Sequence, residues 1–278
     1  MFPVLLRIGP LTVYSYGLMM ALGFITGDYL LTRECRRGEL NPDYANALVL
    51  WAAIAGIVGA RIYAVLDDLP AYLADPKAII FSGSGFVFYG GLAGGIVSTW
   101  VVARRYGISF ARTTDLCVPA LSLGQGFGRL GCQVSGDGDW GLPSKMPWAM
   151  AYPHAIVGWN AQSVLKLDDH YNLVSGYYPG VRVLPTPVFE AITFFVLSYV
   201  LIQLLHRPHV AGKVTAAYLV LAGLERFIVE FWRINPRVLW CFSEAQLISV
   251  VLIMAGAVIW LMLPESKAAE EPREVVRA

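Results

Sequence analysis

Residues 124–141 read GQGFGRLGCQVSGDGDWG and follow an apolar run. The stretch carries one arginine, Arg129, between glycines, and then passes into a loop that holds Asp137 and Asp139. Glycine costs a helix about 1 kcal/mol relative to alanine, and a charge at membrane depth costs at least about 2.5–3.5 kcal/mol on insertion scales. Something must offset both costs, and we expect an anionic lipid headgroup to do so.

The composition is typical of a polytopic membrane protein. Of the 278 residues, 56% are hydrophobic and only 15% are charged, which is too apolar for a soluble domain of this length. The net charge of +1 gives no reason to expect nucleic acid as a partner. The 4 cysteines are scattered without CxxC spacing, so neither a zinc site nor a disulfide framework is predicted, and no cofactor is expected.

Seven apolar segments are candidates for transmembrane helices, because crossing the hydrocarbon core takes about 20 residues. They lie at 11–32, 46–66, 84–103, 115–131, 187–205, 214–232 and 244–263. The sequence therefore predicts an all-α polytopic membrane protein. Residues 1–263 would form a single transmembrane domain with a small head inserted at 132–186, followed by a disordered cytoplasmic tail at 264–278.

Basic residues follow alternate predicted spans. Arginines follow the first and third spans, basic residues separate the fifth from the sixth, and others lie in the tail. The positive-inside rule then places the N-terminus outside and the C-terminus in the cytoplasm, so the head is extracytoplasmic. We expect the head to be ordered, because aromatic residues such as Trp140, Trp148 and Trp159 need a surface to pack against.

Charged residues occur in or at the ends of the predicted spans, where charges are costly. They are Arg61, Asp115, Arg129, Glu190, Glu225, Arg226, Glu230 and Arg233. A structural ladder of ion pairs explains any one pair as well as a functional role does, but ionisable residues within a membrane are functional candidates as a set. Because a guanidinium donates two parallel hydrogen bonds to phosphate, the arginines predict a phospholipid headgroup as ligand.

The last part of this set has helical spacing. Arg226, Glu230 and Arg233 are spaced i, i+4 and i+7, so they are predicted to share one helix face. Apolar residues occupy much of the remaining surface. The spacing therefore predicts a charged stripe that faces the interior of the helix bundle.

A second stretch rich in small residues, at 83–95, reads GSGFVFYGGLAGG. No Gly-Lys-Ser/Thr follows the glycines, so it is not a P-loop. We interpret Gly94 and Gly95 as positions of close helix packing. Tyr89 precedes two further glycines, and its phenol is a candidate to donate to an oxyanion or to take part in proton transfer.

Several short motifs are found in one order along nearly the whole chain. They are Tyr16-Gly17-Leu18, Gly59-Ala60-Arg61, Tyr89-Gly90-Gly91-Leu92-Ala93-Gly94, Asp115, Gly128-Arg129-Leu130-Gly131, Gly136-Asp137, Trp140-Gly141, Pro185-Thr186, Phe189-Glu190 and Arg226-Phe227-Ile228-Val229-Glu230-Phe231-Trp232-Arg233. In these motifs the chain resembles the bacterial prolipoprotein diacylglyceryl transferase family. The family's topology of seven spans with an outside N-terminus agrees with the charge pattern.

The resemblance implies a reaction in the bacterial inner membrane. The diacylglyceryl group of phosphatidylglycerol passes to the thiol of the lipobox cysteine in a preprolipoprotein signal peptide, a thioether forms and glycerol phosphate leaves. Membrane lipid and the precursor are the implied partners. The implied catalytic residues are Arg129, Arg226, Tyr89 and Glu230. Both arginines are also implied to bind phosphatidylglycerol, together with Tyr16, Arg61, Gly90, Gly91, Asp115, Cys132, Asp137, Gly141, Glu190 and Arg233.

Three positions depart from the family pattern. Tyr89 replaces a common histidine, Cys132 replaces a common asparagine, and residues 184–187 read LPTP where the family has His-Pro-Ser/Thr-Gln. A phenol with a pKa of about 10 is a poor base at neutral pH. Either Glu230 or Glu190 therefore takes the thiol proton, or the arginines stabilise the thiolate directly.

These departures leave two other functions open. One is a transferase that uses phosphatidylglycerol with a different acceptor. The other is a transporter of lipids or small anions, although the sequence has neither the repeated halves nor the paired broken helices of many transporters.

Overall fold

The computed structural model describes residues 1–9, 11–69, 87–157 and 182–264, and the backbone of 166–167 and 173–174. Over these residues the protein is mostly helical, which confirms the helical class. The helices are α1 (Ser15–Arg37), α2 (Pro42–Asp67), α3 (Phe88–Arg105), α4 (Phe110–Ser135), α5 (Thr186–Leu205), α6 (Lys213–Val229) and α7 (Glu244–Met262). The all-α prediction misses three antiparallel hairpins, β1 (Val4–Ile8) with β2 (Leu11–Tyr14), β3 (Lys166–Leu167) with β4 (Leu173–Val174), and β5 (Arg237–Leu239) with β6 (Phe242–Ser243).

The first predicted segment is wrong at its start. Leu11–Tyr14 pairs with Val4–Ile8 as a strand, and α1 begins only at Ser15. Aliphatic, β-branched and aromatic residues flank the turn, and this composition favours a hairpin over a helix. Gly9 adopts a positive φ of 57°, a conformation that glycine reaches without steric cost.

Helices are found at all seven predicted positions, with different bounds. By length and composition, α2, α5 and α7 are long and apolar enough to cross a membrane within the described part of the chain. Helix α4 runs through Ser135, so residues 132–135 belong to a helix and not to the predicted head. Residues 84–86 of the third segment and 265–278 of the predicted tail lie outside the described residues.

The chain divides into two compact units, Met1–Gly27 with Val118–Ala278, and Asp28–Cys117. In the second unit, α2 and α3 meet backbone to backbone at glycines. A Cβ atom at Gly59 would lie 2.4 Å from the Gly90 carbonyl oxygen, and one at Gly94 would lie 2.1 Å from the Ala55 carbonyl oxygen. The packing role of Gly94 is confirmed, but that of Gly95 is wrong, because no atom of the described residues lies within 4 Å of a Cβ placed there.

These glycines give a matched pair of substitutions. We expect Gly94→Ala to destabilise the protein by about 1–3 kcal/mol, the usual cost of overpacking, because the added methyl meets backbone. Gly95→Ala should leave stability unchanged or slightly raised, since alanine is the better helix former. Thermal unfolding in detergent measures both variants. Equal shifts in Tm would contradict the packing described here.

In the first unit, α4, α5 and α6 share an apolar core of Val118, Phe194, Leu197, Leu201 and Val214. Hydroxyl groups also connect α4 to α5. Ser122 Oγ donates to the Phe194 carbonyl oxygen at 2.9 Å, and Ser198 Oγ donates to the Pro119 carbonyl oxygen at 2.8 Å. Small, hydrogen-bonded side chains let helices approach closely. These two hydrogen bonds therefore fix the position of α4 against α5, the helix that carries Glu190.

The described part of the predicted head has a small core of its own. Trp140, Tyr152 and Val183 are buried together, with the Trp140 and Tyr152 ring centroids 4.9 Å apart. The Tyr152 hydroxyl donates to Gln133 Oε1 at 2.9 Å, and burial raises the pKa of Tyr152 to about 12. The prediction that Trp140 packs against a surface in the head is confirmed. Trp148 is 54% exposed, against expectation, and Trp159 lies outside the described residues.

Candidate active site

Glu190 is the centre of a charged cluster. It lies in α5 and is fully buried. Arg129 Nε lies 3.2 Å from Glu190 Oε2, and Arg226 Nη1 donates to Oε1 at 2.9 Å. Arg233 Nη1 contacts both oxygens, at 3.2 and 3.1 Å. One buried carboxylate therefore holds three guanidinium groups, and this pairing offsets part of the cost of burying each charge.

Three different segments supply the arginines. Arg129 comes from α4 and Arg226 from the last turn of α6. The predicted shared face with Arg233 is wrong. Helix α6 ends at Val229, a 3₁₀ turn follows at Glu230–Trp232, and Arg233 is extended with φ −88° and ψ 155°. The turn, and not helical spacing, therefore delivers Arg233 to Glu190.

Two further acids complete the cluster. Arg226 Nη2 lies 2.8 Å from Glu230 Oε2, and Asn235 Nδ2 donates to Glu230 Oε1 at 2.6 Å. Asp139 bridges two arginines, accepting from Arg129 Nη1 at 2.5 Å and from Arg233 Nη2. Glu190, Glu230 and Asp139 thus balance three arginines. The sequence analysis places Asp139 in the loop but gives it no role. Its position ten residues after Arg129 was the one sequence feature that could have suggested this ion pair.

Backbone contacts fix the Asp139 loop beside α5 and the 3₁₀ turn. Thr186 Oγ1 donates to the Asp139 carbonyl oxygen at 2.7 Å, and the Gly141 N–H donates to the Leu184 carbonyl oxygen at 2.8 Å. A Cβ at Gly141 would lie 2.5 Å from the Trp232 carbonyl oxygen. Gly141, a predicted substrate-binding residue, is therefore needed where three backbone segments meet.

The cluster has a closed side and an open side. The side chains of Glu190 and Glu230 are fully buried, whereas those of Arg129 and Arg226 are 25% exposed and that of Asp139 is 30% exposed. Each guanidinium has five N–H donors, and the ion pairs use only some of them. The open side can therefore take the oxygens of an anion while the buried acids keep the arginines in place.

Asp139 is held in its ionised form. Burial alone would raise the pKa of Asp139, but Arg233 and Arg129 outweigh burial and hold it below the ordinary value of 3.8. A group with a depressed pKa in the folded state stabilises the fold above its unfolded pKa. This contribution is lost as the pH falls through its folded pKa.

Asp139→Asn should therefore lower Tm at pH 7, and its difference from the original protein should shrink as the pH falls below about 3.8. Asp137→Asn is the matched control, because no arginine pairs with Asp137 among the described residues, and its effect at pH 7 should be smaller. Thermal unfolding at pH 7, 5 and 3 checks this. A Tm difference for Asp139→Asn that stays constant over this range would count against the assignment.

Tyr16, Cys132 and Asp137 border the cluster. A Cβ at Gly131 would lie 3.0 Å from the Tyr16 ring, and Tyr16 is within electrostatic range of Arg129. Potential ligand atoms of Cys132, Asp137 and Asp139 lie within 4.8 Å of one another. Two arginines already pair with Asp139 and would oppose a cation there, so we assign no metal to this group.

The glycines around Arg129 have different structural surroundings. A Cβ at Gly126 would meet the Phe195 ring at 2.4 Å, and Gly131 faces Tyr16. Within the described part of the chain, a Cβ at Gly128 has no neighbour within 4 Å. Gly126 and Gly131 therefore serve packing, and only Gly128 of these three leaves open space beside the helix for a ligand.

The remaining predicted site residues belong to the Asp28–Cys117 unit. Arg61 is half-buried on α2, Asp115 is buried near the start of α4, and Tyr89 is 46% exposed in the first turn of α3. Gly90 and Gly91 face α2: a Cβ at Gly90 would lie 2.3 Å from the Gly59 carbonyl oxygen, and one at Gly91 would lie 3.3 Å from that of Gly56. In this structure, both glycines serve helix packing.

Comparisons with known proteins match this chain almost from end to end. A profile described as prolipoprotein diacylglyceryl transferase matches residues 3–262. A phosphatidylglycerol–prolipoprotein diacylglyceryl transferase of Clostridium tetani is 28% identical over 262 residues, 94% of this chain and 97% of the relative. One of Leptospira interrogans is 30% identical over 297 residues, covering 87% and 86%. One of Bordetella avium is 32% identical over 271 residues, covering 94% of each. The resemblance is confirmed: the chain belongs to the prolipoprotein diacylglyceryl transferase family.

Proposed function

We propose that this membrane protein transfers the diacylglyceryl group of phosphatidylglycerol to a cysteine thiol of a prolipoprotein. The relatives' names pair this donor with this acceptor. The observation that carries the proposal is the cluster of three arginines on Glu190, with Arg129 and Arg226 partly open. A partly exposed guanidinium pair of this kind suits the phosphate of a lipid headgroup.

The phosphate is the part of the donor that the cluster would bind. Asp139 bridges Arg129 and Arg233 with its two oxygens, and two phosphate oxygens can replace that bridge. Arg226 contributes further donors from the end of α6. Glu190, at the centre, holds the guanidiniums in position before substrate arrives, which lowers the cost of organising the site.

The reaction moves charge onto the phosphate. The thiol loses its proton, its sulfur bonds to the terminal glyceryl carbon, and the bond from that carbon to the phosphate oxygen breaks. A second negative charge develops on the phosphate of the departing glycerol phosphate as this bond breaks. Arginines fixed in a site of low dielectric stabilise charge that develops in the transition state, so Arg129 and Arg226 are catalytic as well as substrate-binding residues in this proposal.

The lipobox cysteine of a preprolipoprotein signal peptide is the proposed acceptor thiol. The departures at Tyr89 and Cys132 leave one competing acceptor chemistry open, in which the lipid site is kept and another nucleophile is used. A pair of lipobox peptides separates the two: one with cysteine and one with serine at the acceptor position, each incubated with phosphatidylglycerol labelled in its headgroup. We expect release of labelled glycerol phosphate with the cysteine peptide only; equal release with the serine peptide would contradict the thiol as acceptor.

The proposed arrangement in the membrane has seven spans in one transmembrane domain, corresponding to the seven helices of the described residues. The N-terminus and the 132–186 head lie outside, and the C-terminal tail lies in the cytoplasm of a bacterial inner membrane. The positive-inside rule supports this orientation. Reporter fusions after Arg37 and after Ser135 should report opposite sides of the membrane, and the same side for both would contradict this topology.

A further inference from the structure

Glu225 is a buried acid that the ion-pair cluster does not use. It is 8% exposed, and both carboxylate oxygens are buried without a hydrogen-bond partner among the described residues. A buried acceptor without a donor costs about 1–3 kcal/mol. Such a group in a folded protein calls for an explanation, and a substrate that brings a donor is one.

Glu225 lies beside the phosphate-binding arginines. Tyr218, seven residues earlier on the same face of α6, donates to Gln125 Oε1 on α4 at 3.0 Å. Arg129 follows Gln125 by one turn of α4. Glu225 is within electrostatic range of Glu190 on α5, Arg129 on α4, Arg226 on α6 and Arg233 after the 3₁₀ turn.

The other acids of the cluster already have donor groups against their carboxylate oxygens. Glu190 is held by three arginines. Glu230 is occupied by Arg226 and Asn235, and Asp139 by two arginines. Carboxylate oxygens that already contact these donors have less room to contact an incoming thiol. Glu225 is therefore a better candidate than Glu230 or Glu190, the two acids expected from the sequence, to accept the thiol proton.

The balance of charges in the cluster also favours Glu225 as the acid that takes up the proton. Arg129, Arg226 and Arg233 are matched by Glu190, Glu230 and Asp139 in the contacts above. Glu225 is an additional acid next to a neutral set. Taking up one proton removes an unmatched buried charge, which is the costly form of the group.

We propose that Glu225 is the proton acceptor for the substrate thiol, an inference that rests on the proposed function. The S–H bond breaks and its proton passes to a Glu225 oxygen, while the sulfur electron pair forms the bond to the glyceryl carbon. The carbon–oxygen bond to phosphate breaks with its electrons on the phosphate. The proton then passes from Glu225 to the departing glycerol phosphate, which restores the carboxylate.

The test compares two acceptors in two proteins. Glu225→Gln keeps the shape of the side chain but cannot take the proton, and should lower kcat with a cysteine peptide by about 10²-fold or more. KM for phosphatidylglycerol should stay the same. A selenocysteine peptide, whose selenol is more acidic than a thiol and ionises without help, should restore most of the lost rate.

Three results would overturn the proposal. The first is a Glu225→Gln rate equal to that of the original protein with the thiol. The second is an equal deficit with thiol and selenol. The third is a raised KM for phosphatidylglycerol with unchanged kcat, which would make Glu225 a headgroup ligand. If the original protein forms no product at all, the proposed function fails, and this outcome is distinct from all three.

Two further variants complete the test, one as a control for the loss of a buried acid and one as a replacement if Glu225→Gln does not fold. Glu34→Gln alters another buried acid, on α1, and should transfer at the original rate. Glu225→Asp keeps a carboxylate at a shorter reach and replaces Glu225→Gln if the latter does not fold. For Glu225→Asp, a selenol-to-thiol rate ratio above that of the original protein supports the proposal, and an equal ratio overturns it.

Discussion

Arg129→Lys is expected to lower the rate of diacylglyceryl transfer by about 10²–10³-fold, the usual cost of losing a fixed donor to a developing oxyanion. Lysine keeps the positive charge, but it lacks the planar fork that contacts Glu190 and Asp139 together. The measurement is the initial rate with a lipobox peptide at saturating phosphatidylglycerol.

Arg104→Lys is the control for this loss. Arg104 lies in the last turn of α3 with its guanidinium 4.9 Å from the Trp100 ring centroid, and the proposed chemistry gives it no role. Its rate should stay within about twofold of the original. If Arg129→Lys transfers at more than half the original rate, charge alone is sufficient and the fork geometry is not part of catalysis.

Glu190→Ala should cause the largest loss of stability, about 3–5 kcal/mol, because it leaves buried guanidiniums without their shared partner. For a chain of this length, the corresponding fall in Tm is about 10 °C. Thermal unfolding in detergent, followed by tryptophan fluorescence, measures the change.

A second substitution tests the cause of that loss. Arg233 is the most buried arginine of the cluster, with a side chain 7% exposed. Adding Arg233→Met to Glu190→Ala removes its unpaired charge, so the double variant should recover part of the lost stability. Unfolding of Glu190→Ala at the original temperature would contradict the central position of Glu190.

Hydropathy was enough to locate the helices, because each buries apolar surface over a length that composition reveals. It did not locate the β1–β2 hairpin, since an apolar strand next to an apolar helix reads as one continuous segment. It also did not locate the end of α6. The i, i+4 pair of Arg226 and Glu230 is present, but the 3₁₀ turn changes the direction of the chain before Arg233.

The candidate site was partly predictable for a related reason. A charge at membrane depth is costly wherever it lies, so Arg129, Arg226 and Glu190 were identifiable from sequence alone. Whether a given acid pairs with an arginine depends on the fold. Asp139 and Glu225 were visible as acids, but only the structure separates the bridged carboxylate from the unpaired one. Likewise, the sequence does not distinguish Gly126, which packs against Phe195, from Gly128, which has space beside it; the structure does.

The most direct measurement is the mass of a lipobox peptide after incubation with the purified protein in phosphatidylglycerol vesicles. We predict that the cysteine gains one diacylglyceryl group through a thioether and that one glycerol phosphate is released for each peptide modified. A peptide of unchanged mass, with phosphatidylglycerol bound or moved across the vesicle membrane but not cleaved, would contradict the proposed transferase and favour a transporter.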